Sequence, residues 1–325
     1  MPRKGYQPSK RFLSIPGNET PLSKFDLPQE KVMVGDILTT LPRIPDNTVD
    51  LTILDPPYWK VVGEKWDYQW RTLSDYIDWC RIWIHQLGRI CKLSSTLYLF
   101  GYVRNMHGLV QILESAGFCF RQEITLDKGI RSVAGRKTST YKIFPNTTET
   151  IYMFFRDPKS EIRRFLKTRQ LELGLSSKEI NQKLGVKSNG GGMWSLYTGE
   201  NIGGQIPTLE FWRKIEEILM VDVPEELKGQ TFNPQPGLTN VWTDIDFYIK
   251  GRIHPTQKPL PLLERLIHAS SNENGLVLDP FAGSGTTLLA CKNLNRNCFC
   301  FDLDEEMVIK ANNVISHFSH PPQAI

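Results

Sequence analysis

Two segments more than two hundred positions apart constrain this chain most. Asp55-Pro56-Pro57-Tyr58 follows the apolar, β-branched run Leu51-Thr52-Ile53-Leu54, and Asp279-Pro280-Phe281-Ala282-Gly283-Ser284-Gly285-Thr286-Thr287 follows Leu276-Val277-Leu278. A short apolar run bounded by turn residues reads as a buried strand, and strands buried on both faces belong to parallel sheets. Loops leaving such strands at their carboxyl ends gather at one edge, where open α/β sheets hold their ligands. The pair therefore demands an α/β fold in which both loops share one rim.

The rest of the chain alternates accordingly. A strand at 31–34, a turn and helix over 36–41 and the strand ending at Asp55 open the pattern. Ile77, Cys80, Ile84, Leu87 and Cys91 recur at helical spacing and predict a helix over 74–93. A strand at 95–100, a helix over 106–116 stopped by Gly117, and strands at 118–126 and 148–155 follow. From about 158 to 227 the sequence turns helical and polar, with a Gly-rich break at 189–192. After the connector Asn233-Pro234-Gln235-Pro236-Gly237 the α/β pattern resumes: a helix over 260–269, a strand at 276–278, a helix over 286–294, a strand at 297–301 and a helix from Glu305. The expected organisation is an N-terminal arm (1–30), two halves of one α/β domain (31–157 and 231–325) and a helical insert (158–230) between them. No internal repeat is present.

Composition narrows the class. The 325 residues are 40% hydrophobic, enough for a real core, and no run approaches the roughly 18 apolar residues of a membrane span. The start lacks an apolar leader, so no membrane partner and a cytoplasmic location are expected. Six cysteines, none in C-x-x-C spacing, read as buried reduced thiols, and no metal site is expected. A net charge of +4 is only mildly basic. Its distribution says more: from Lys159 to Lys187 eight Lys/Arg stand against three acids. A solvated helical face is the ordinary explanation of such a run, and a phosphate-facing surface the sharper one.

The second motif suits a cofactor. Gly283 and Gly285 lie between a strand and a helix, where backbone amides can approach a ligand. Leu288 occupies the place of the third glycine of a pyrophosphate-binding turn, which disfavours a dinucleotide. Asp302, at the end of the next strand, can accept from both ribose hydroxyls of a nucleoside, and Asp279 can face an amino group. An amino acid joined to adenosine without phosphate meets these requirements, and S-adenosyl-L-methionine is such a molecule. The alternative is that Asp279 caps its turn and Asp302 opens a helix.

The first motif suits a weakly nucleophilic amine. The lone pair of an adenine or cytosine amine is delocalised into the ring, and two acceptors on its hydrogens would free it for attack. Asp55 offers a carboxylate and Pro56 a main-chain carbonyl, stiffened by Pro57; Tyr58 offers a ring on which an extruded base can stack. Trp59 and Trp66 are candidates for the border of a base pocket, whereas Trp79 and Trp83, four apart on a helix, read as core.

Together these residues resemble the β group of amino-methyltransferases of DNA, in which the catalytic motif precedes the cofactor motif. The matching stretches are Val34-Gly35-Asp36-Ile37-Leu38 with the run into Tyr58, Phe144 through Ile151, His254-Pro255-Thr256-Gln257-Lys258-Pro259, and Leu278 through Asp302. The resemblance implies a Rossmann-like, S-adenosylmethionine-dependent methyltransferase sheet. It implies that Asp36, Phe281, Gly283, Gly285, Thr286 and Asp302 line the cofactor pocket, with Lys258 and Pro259 leading into the helix beside it. The leading Asp of the first motif favours adenine N6, since cytosine-specific relatives usually carry Ser there; cytosine N4 is the alternative.

The insert falls where that family carries its variable target-recognition region. Leu175 through Val186 looks like the front half of a helix-turn-helix in which Ser176 caps, Ile180 and Leu184 pack, and Gly185 turns the chain. Arg163, Arg164, Lys167 and Lys187 are expected on phosphates, Asn189 and Ser195 near bases, and Arg131, Arg136 and Lys137 on a second basic loop. A helical bundle that only braces the sheet is the plainer alternative. Double-stranded DNA is the expected partner in a bacterial or phage modification enzyme of the nucleoid. A cognate restriction endonuclease is a candidate partner, and the oligomeric state is open between monomer and homodimer. A non-catalytic DNA-binding regulator and a protein-glutamine methyltransferase are rivals that the intact motifs disfavour.

Overall fold

The structure is a computed structural model that describes residues 30–133, 142, 144–186, 192–199, 205–229 and 231–318. The expected N-terminal arm therefore lies outside the described residues except for Glu30. In chain order the elements are β1 (Met33–Val34), α1 (Ile37–Thr40), β2 (Val49–Leu54), α2 (Leu73–Ile90), β3 (Cys91–Gly101), α3 (Val103–Ser115), β4 (Phe118–Asp127) and β5 (Thr148–Arg156). They continue as α4 (Lys159–Glu172), α5 (Ser177–Lys183), α6 (Gly192–Thr198), α7 (Leu209–Leu219), β6 (Val241–Trp242), α8 (Leu260–Ser270), β7 (Leu276–Asp279), α9 (Thr286–Asn293), β8 (Asn297–Asp302) and α10 (Glu305–Phe318). Two units emerge: an α/β unit of 1–91, 95–155 and 232–325, and a helical unit of 92–94 and 156–231.

The α/β unit carries a sheet of eight strands in the order β1-β8-β7-β2-β3-β5-β4-β6. β1, β8, β7, β2 and β3 run parallel, and β5 turns antiparallel on β3. From β2 the chain proceeds outward to β3, and from β7 it proceeds the opposite way to β8, so the switch point lies between β2 and β7. Leu51 pairs with Val277 and Thr52 with Leu278. The loops after Leu54 and after Asp279 thus leave neighbouring strands in the same direction.

Side-chain alternation feeds a core on each face. Leu97 and Leu99 of β3 join α2 and α3 on one face, while Tyr98 and Phe100 join α8 and α9 on the other. In β2, Val49 and Leu51 fall on opposite faces because the register slips between them.

Several boundaries depart from the sequence reading. The long helix ends at Ile90 rather than Leu93, because Val49 pairs with Cys91 and draws that residue into β3. Asn47 and Thr48 donate their N–H groups to the carbonyls of Arg89 and Ile90, which closes the helix end. α1 stops at Thr40 and passes into a 3₁₀ turn holding Pro42. α3 starts at Val103, three residues before the expected Met106. β6 has no counterpart among the expected strands; two residues in a polar connector form it only by pairing with Thr125 and Leu126.

The helical unit has its own core, built on Leu166, Ile180, Trp194, Trp212 and Ile215. Ser176 caps α5 reciprocally with Glu179, Ile180 and Leu184 are buried, and Gly185 takes φ +73° at the turn. Asn181 accepts the Trp194 N–H at 2.9 Å, and Trp194 Nε1 donates to Gln170 Oε1 at 2.8 Å, which locks α6 onto α5 and α4.

Candidate active site

Asp55 leaves the end of β2 with both carboxylate oxygens engaged. The Tyr58 hydroxyl donates to Oδ1 at 2.5 Å and Lys258 Nζ donates to Oδ2 at 2.7 Å. Lys258 also contacts the Tyr58 hydroxyl at 3.1 Å and Glu149 Oε1 at 3.1 Å, and Glu149 lies 3.5 Å from Lys128. Burial opposes the charge on Lys258, but the carboxylates of Asp55 and Glu149 outweigh it and raise its pKa. Burial pushes Glu149 up, yet the Lys258 and Lys128 cations hold it below the ordinary carboxylate value. Burial, then Asp55 and Glu149, drive the Tyr58 phenol well above its usual range, so it is a donor and not a phenolate.

The loop after Tyr58 is held under strain. Trp59 and Lys60 both take left-handed backbone, φ 56° and 60°, which non-glycine residues adopt at a cost of order 1–3 kcal/mol each. Buried Asp67 over-determines this shape: its carboxylate accepts the N–H groups of Val61 at 2.6 Å and Val62 at 2.7 Å, and its carbonyl accepts that of Lys60 at 2.8 Å. Asn105, also buried, donates to the Tyr58 carbonyl. Neither Asp67 nor Asn105 stands out in the sequence.

A cavity of about 1590 Å³ opens beside Asp55. Asp36, Asp279, Phe281, Gly283, Thr286 and Asp302 line it, and Lys258 lines it beside Asp55. Gly285 does not. It caps α9 with φ +73°, and a Cβ there would stand 2.7 Å from Ile315 and 3.1 Å from Val32, so its bareness serves packing against the core. Gly283, at φ +47°, faces the His254 ring, 3.7 Å from where its Cβ would lie. Trp66 stacks on that ring at 6.0 Å and lines the cavity, whereas Trp59 lies outside the lining and donates Nε1 to the Trp70 carbonyl at 3.3 Å. Pro57 lines the cavity and Pro56 is buried behind it. Trp83 is wholly buried, while Trp79 packs on Phe281 and reaches the cavity.

Asp302 and Asp279 are each held by donors of the neighbouring loops. Asp302 Oδ2 accepts Gly283 N–H at 2.8 Å and Oδ1 accepts Asp304 N–H at 3.0 Å, which aims the group and leaves each oxygen a second lone pair. Asp279 accepts Phe281 N–H at 3.0 Å and the Thr287 hydroxyl at 2.5 Å. Burial raises Asp279 to about 7 and also raises Asp302 above the ordinary carboxylate value. A ligand bringing hydroxyl donors to Asp302 and a cation to Asp279 fits this donor set.

The residues expected on DNA divide between the units. Arg131 is exposed on a 3₁₀ turn of the α/β unit; Arg163 and Arg164 sit on α4 and Ser195 is exposed on α6. Arg136, Lys137, Lys187 and Asn189 lie outside the described residues. Among the described residues no cluster of His, Cys, Asp or Glu could hold a metal, and no helix is long and apolar enough to cross a membrane.

A doubly wound sheet with a carboxylate loop and a glycine loop at one switch point defines the methyltransferase class, and relatives make the family specific. Residues 49–313 match the DNA methylase family N6_N4_Mtase, and the chain belongs to it. The type II methyltransferase M1.MboII of Moraxella bovis is 30% identical over 85% of this chain and 92% of its own. M.HpaI of Haemophilus parainfluenzae, another type II methyltransferase, is 27% identical over 86% of this chain and 72% of its own. The crystal structure of an M1.HpyAVI-SAM complex shares the fold with TM-score 0.51 at 19% identity, covering 87% of this chain and 98% of that one.

Proposed function

We propose that this DNA methylase transfers a methyl group from S-adenosyl-L-methionine to the N6 amine of adenine in double-stranded DNA. The observation that carries the reading is Asp55 at the rim of the cavity that Gly283 and Asp302 also line. When bound, S-adenosyl-L-methionine supplies a methyl group on a sulfonium, a leaving group that needs no further activation. Asp302 would hold the ribose hydroxyls, Asp279 and Asp36 the amino-acid end, and Phe281 and Trp66 the walls. Asp55 and the Pro56 carbonyl accept the two hydrogens of the target amine, which localises its lone pair. The methylated nitrogen would then shed its extra proton to the Asp55 carboxylate or to water. Tyr58 stacks on the extruded base.

The helical unit is proposed to hold the target DNA, with Arg163, Arg164, Lys167 and Lys187 on phosphates and Asn189 and Ser195 near bases, as Arg131, Arg136 and Lys137 of the basic loop would also serve. A cytoplasmic bacterial or phage setting beside a restriction endonuclease agrees with the type II relatives. Adenine is preferred to cytosine because Asp, not Ser, opens the catalytic motif. Digesting methylated DNA to nucleosides and weighing the product tests the choice: N6-methyl-2′-deoxyadenosine is expected, and N4-methyl-2′-deoxycytidine alone overturns it.

A further inference from the structure

The Asp55 carboxylate is supplied from three directions: its own loop after β2, the connector before α8, and β5, which reaches this rim by pairing antiparallel with β3, Thr150 opposite Gly101. Lys258 is the hub. Its ammonium has three hydrogens to place, and Asp55 Oδ2, Glu149 Oε1 and the Tyr58 hydroxyl take them at 2.7, 3.1 and 3.1 Å. Its side chain is only 9% exposed and its nitrogen lies 5.0 Å over the Phe100 ring, so its charge is met by these partners more than by bulk solvent. Glu149 is 14% exposed and does not itself line the cavity; it meets the lining only through Lys258.

We infer that Glu149 is a positioning residue for methyl transfer: through Lys258 it fixes one oxygen of Asp55 and reserves the other, now held by the Tyr58 hydroxyl, for the target amine. The inference rests on the reading of Asp55 as the acceptor of that amine. Lys258 without Glu149 would swing fully onto Asp55 and drain the charge that the amine's hydrogens need. The exchange at Oδ1 replaces one O–H donor by one N–H donor, so Oδ1 keeps a hydrogen bond while the Tyr58 hydroxyl turns to another acceptor. Tyr58 freed from Asp55 is then available to stack on the base. The charged and titratable groups facing Lys258 are Asp55, Glu149, Tyr58 and His254, with Lys128 behind Glu149.

The test is Glu149→Gln, nearly the same shape without the charge, assayed for steady-state DNA methylation from pH 6 to 10 beside the wild type. The expected result is kcat lower by about tenfold to a hundredfold, with cofactor Kd and DNA KM within about twofold. The alkaline limb, which the wild type keeps above this range, should also move down into it, because Lys258 loses one of the two carboxylates that keep it protonated. A wild-type kcat, or a fall in kcat matched by a lower Tm with the limb unmoved, overturns the assignment. Should Glu149→Gln fail to fold, Glu149→Asp keeps the charge but shortens the reach, and wild-type kcat in that variant overturns the assignment equally. A wild-type protein that methylates no DNA overturns the underlying function, and the positioning role with it.

Discussion

Lys258 Nζ stands 2.7 Å from Asp55 Oδ2 although 203 residues separate the two in the chain. The ion pair ties the connector that leads into α8 to the loop that leaves β2, and so joins the two halves of the α/β unit at the reacting end. It also balances charge: one buried cation serves two carboxylates, Asp55 and Glu149.

Removing the cation leaves Asp55 without its ion pair and Glu149 with Lys128 alone. Lys258→Met should therefore cost about 3–5 kcal/mol in urea unfolding at pH 8, the usual penalty for stranding a buried charge. The deficit should narrow on acidification, since protonating either carboxylate removes the stranded charge. A uniform loss across pH would contradict the electrostatic account.

Asp279 gives a pH dependence of known sign. Burial raises its folded-state value from 3.8 to about 7, so between those limits the folded protein holds a proton that the unfolded chain does not. Stability should fall as pH rises across that window, and Asp279→Asn should flatten the fall. If Asp279 faces the cofactor's ammonium group, titration calorimetry should show S-adenosyl-L-methionine binding tighter as pH rises through about 7, an effect absent in Asp279→Asn.

The two glycines of the cofactor loop should separate stability from binding. Gly285→Ala places a Cβ 2.7 Å from Ile315 at φ +73° and should lower stability by about 1–3 kcal/mol, seen as a drop in Tm. Gly283→Ala meets nothing nearer than 3.7 Å, so its stability loss should be smaller, about 1 kcal/mol, while cofactor affinity falls because the methyl group enters the cavity. Equal effects on Tm would contradict the division.

Much of this arrangement is legible in the sequence because Asp55, Asp279 and Asp302 each follow a short apolar run, and a parallel sheet sends such ends to one rim. The caps of α2 and α5 are equally local, each written in a Thr or Ser followed three residues later by an acid. Glu149 is not legible: its stretch belongs to the resemblance, but its partner Lys258 is set by strand pairing that no local pattern encodes. The role of Gly285 depends on Ile315 and Val32 from α10 and the start of the sheet, and Asp67 matters only once Trp59 and Lys60 are seen to be left-handed. Cys91 keeps a helical period yet joins β3, because Val49 offers it a strand partner.

On the helical unit, Arg164→Ala and Lys167→Ala remove exposed cations of α4. Each should weaken DNA binding without regard to sequence and lessen the slope of log affinity against log salt by about 0.9 for every phosphate left without its cation. Fluorescence anisotropy at several salt concentrations checks this, and unchanged slopes would assign the positive charge to solvent.

The most direct test of the central claim is methyl incorporation into DNA by Asp55→Ala, with binding of the same DNA and of S-adenosyl-L-methionine measured alongside. The expected result is a rate lower by at least about a hundredfold, with both ligands still bound. Turnover equal to that of the wild type would contradict the account.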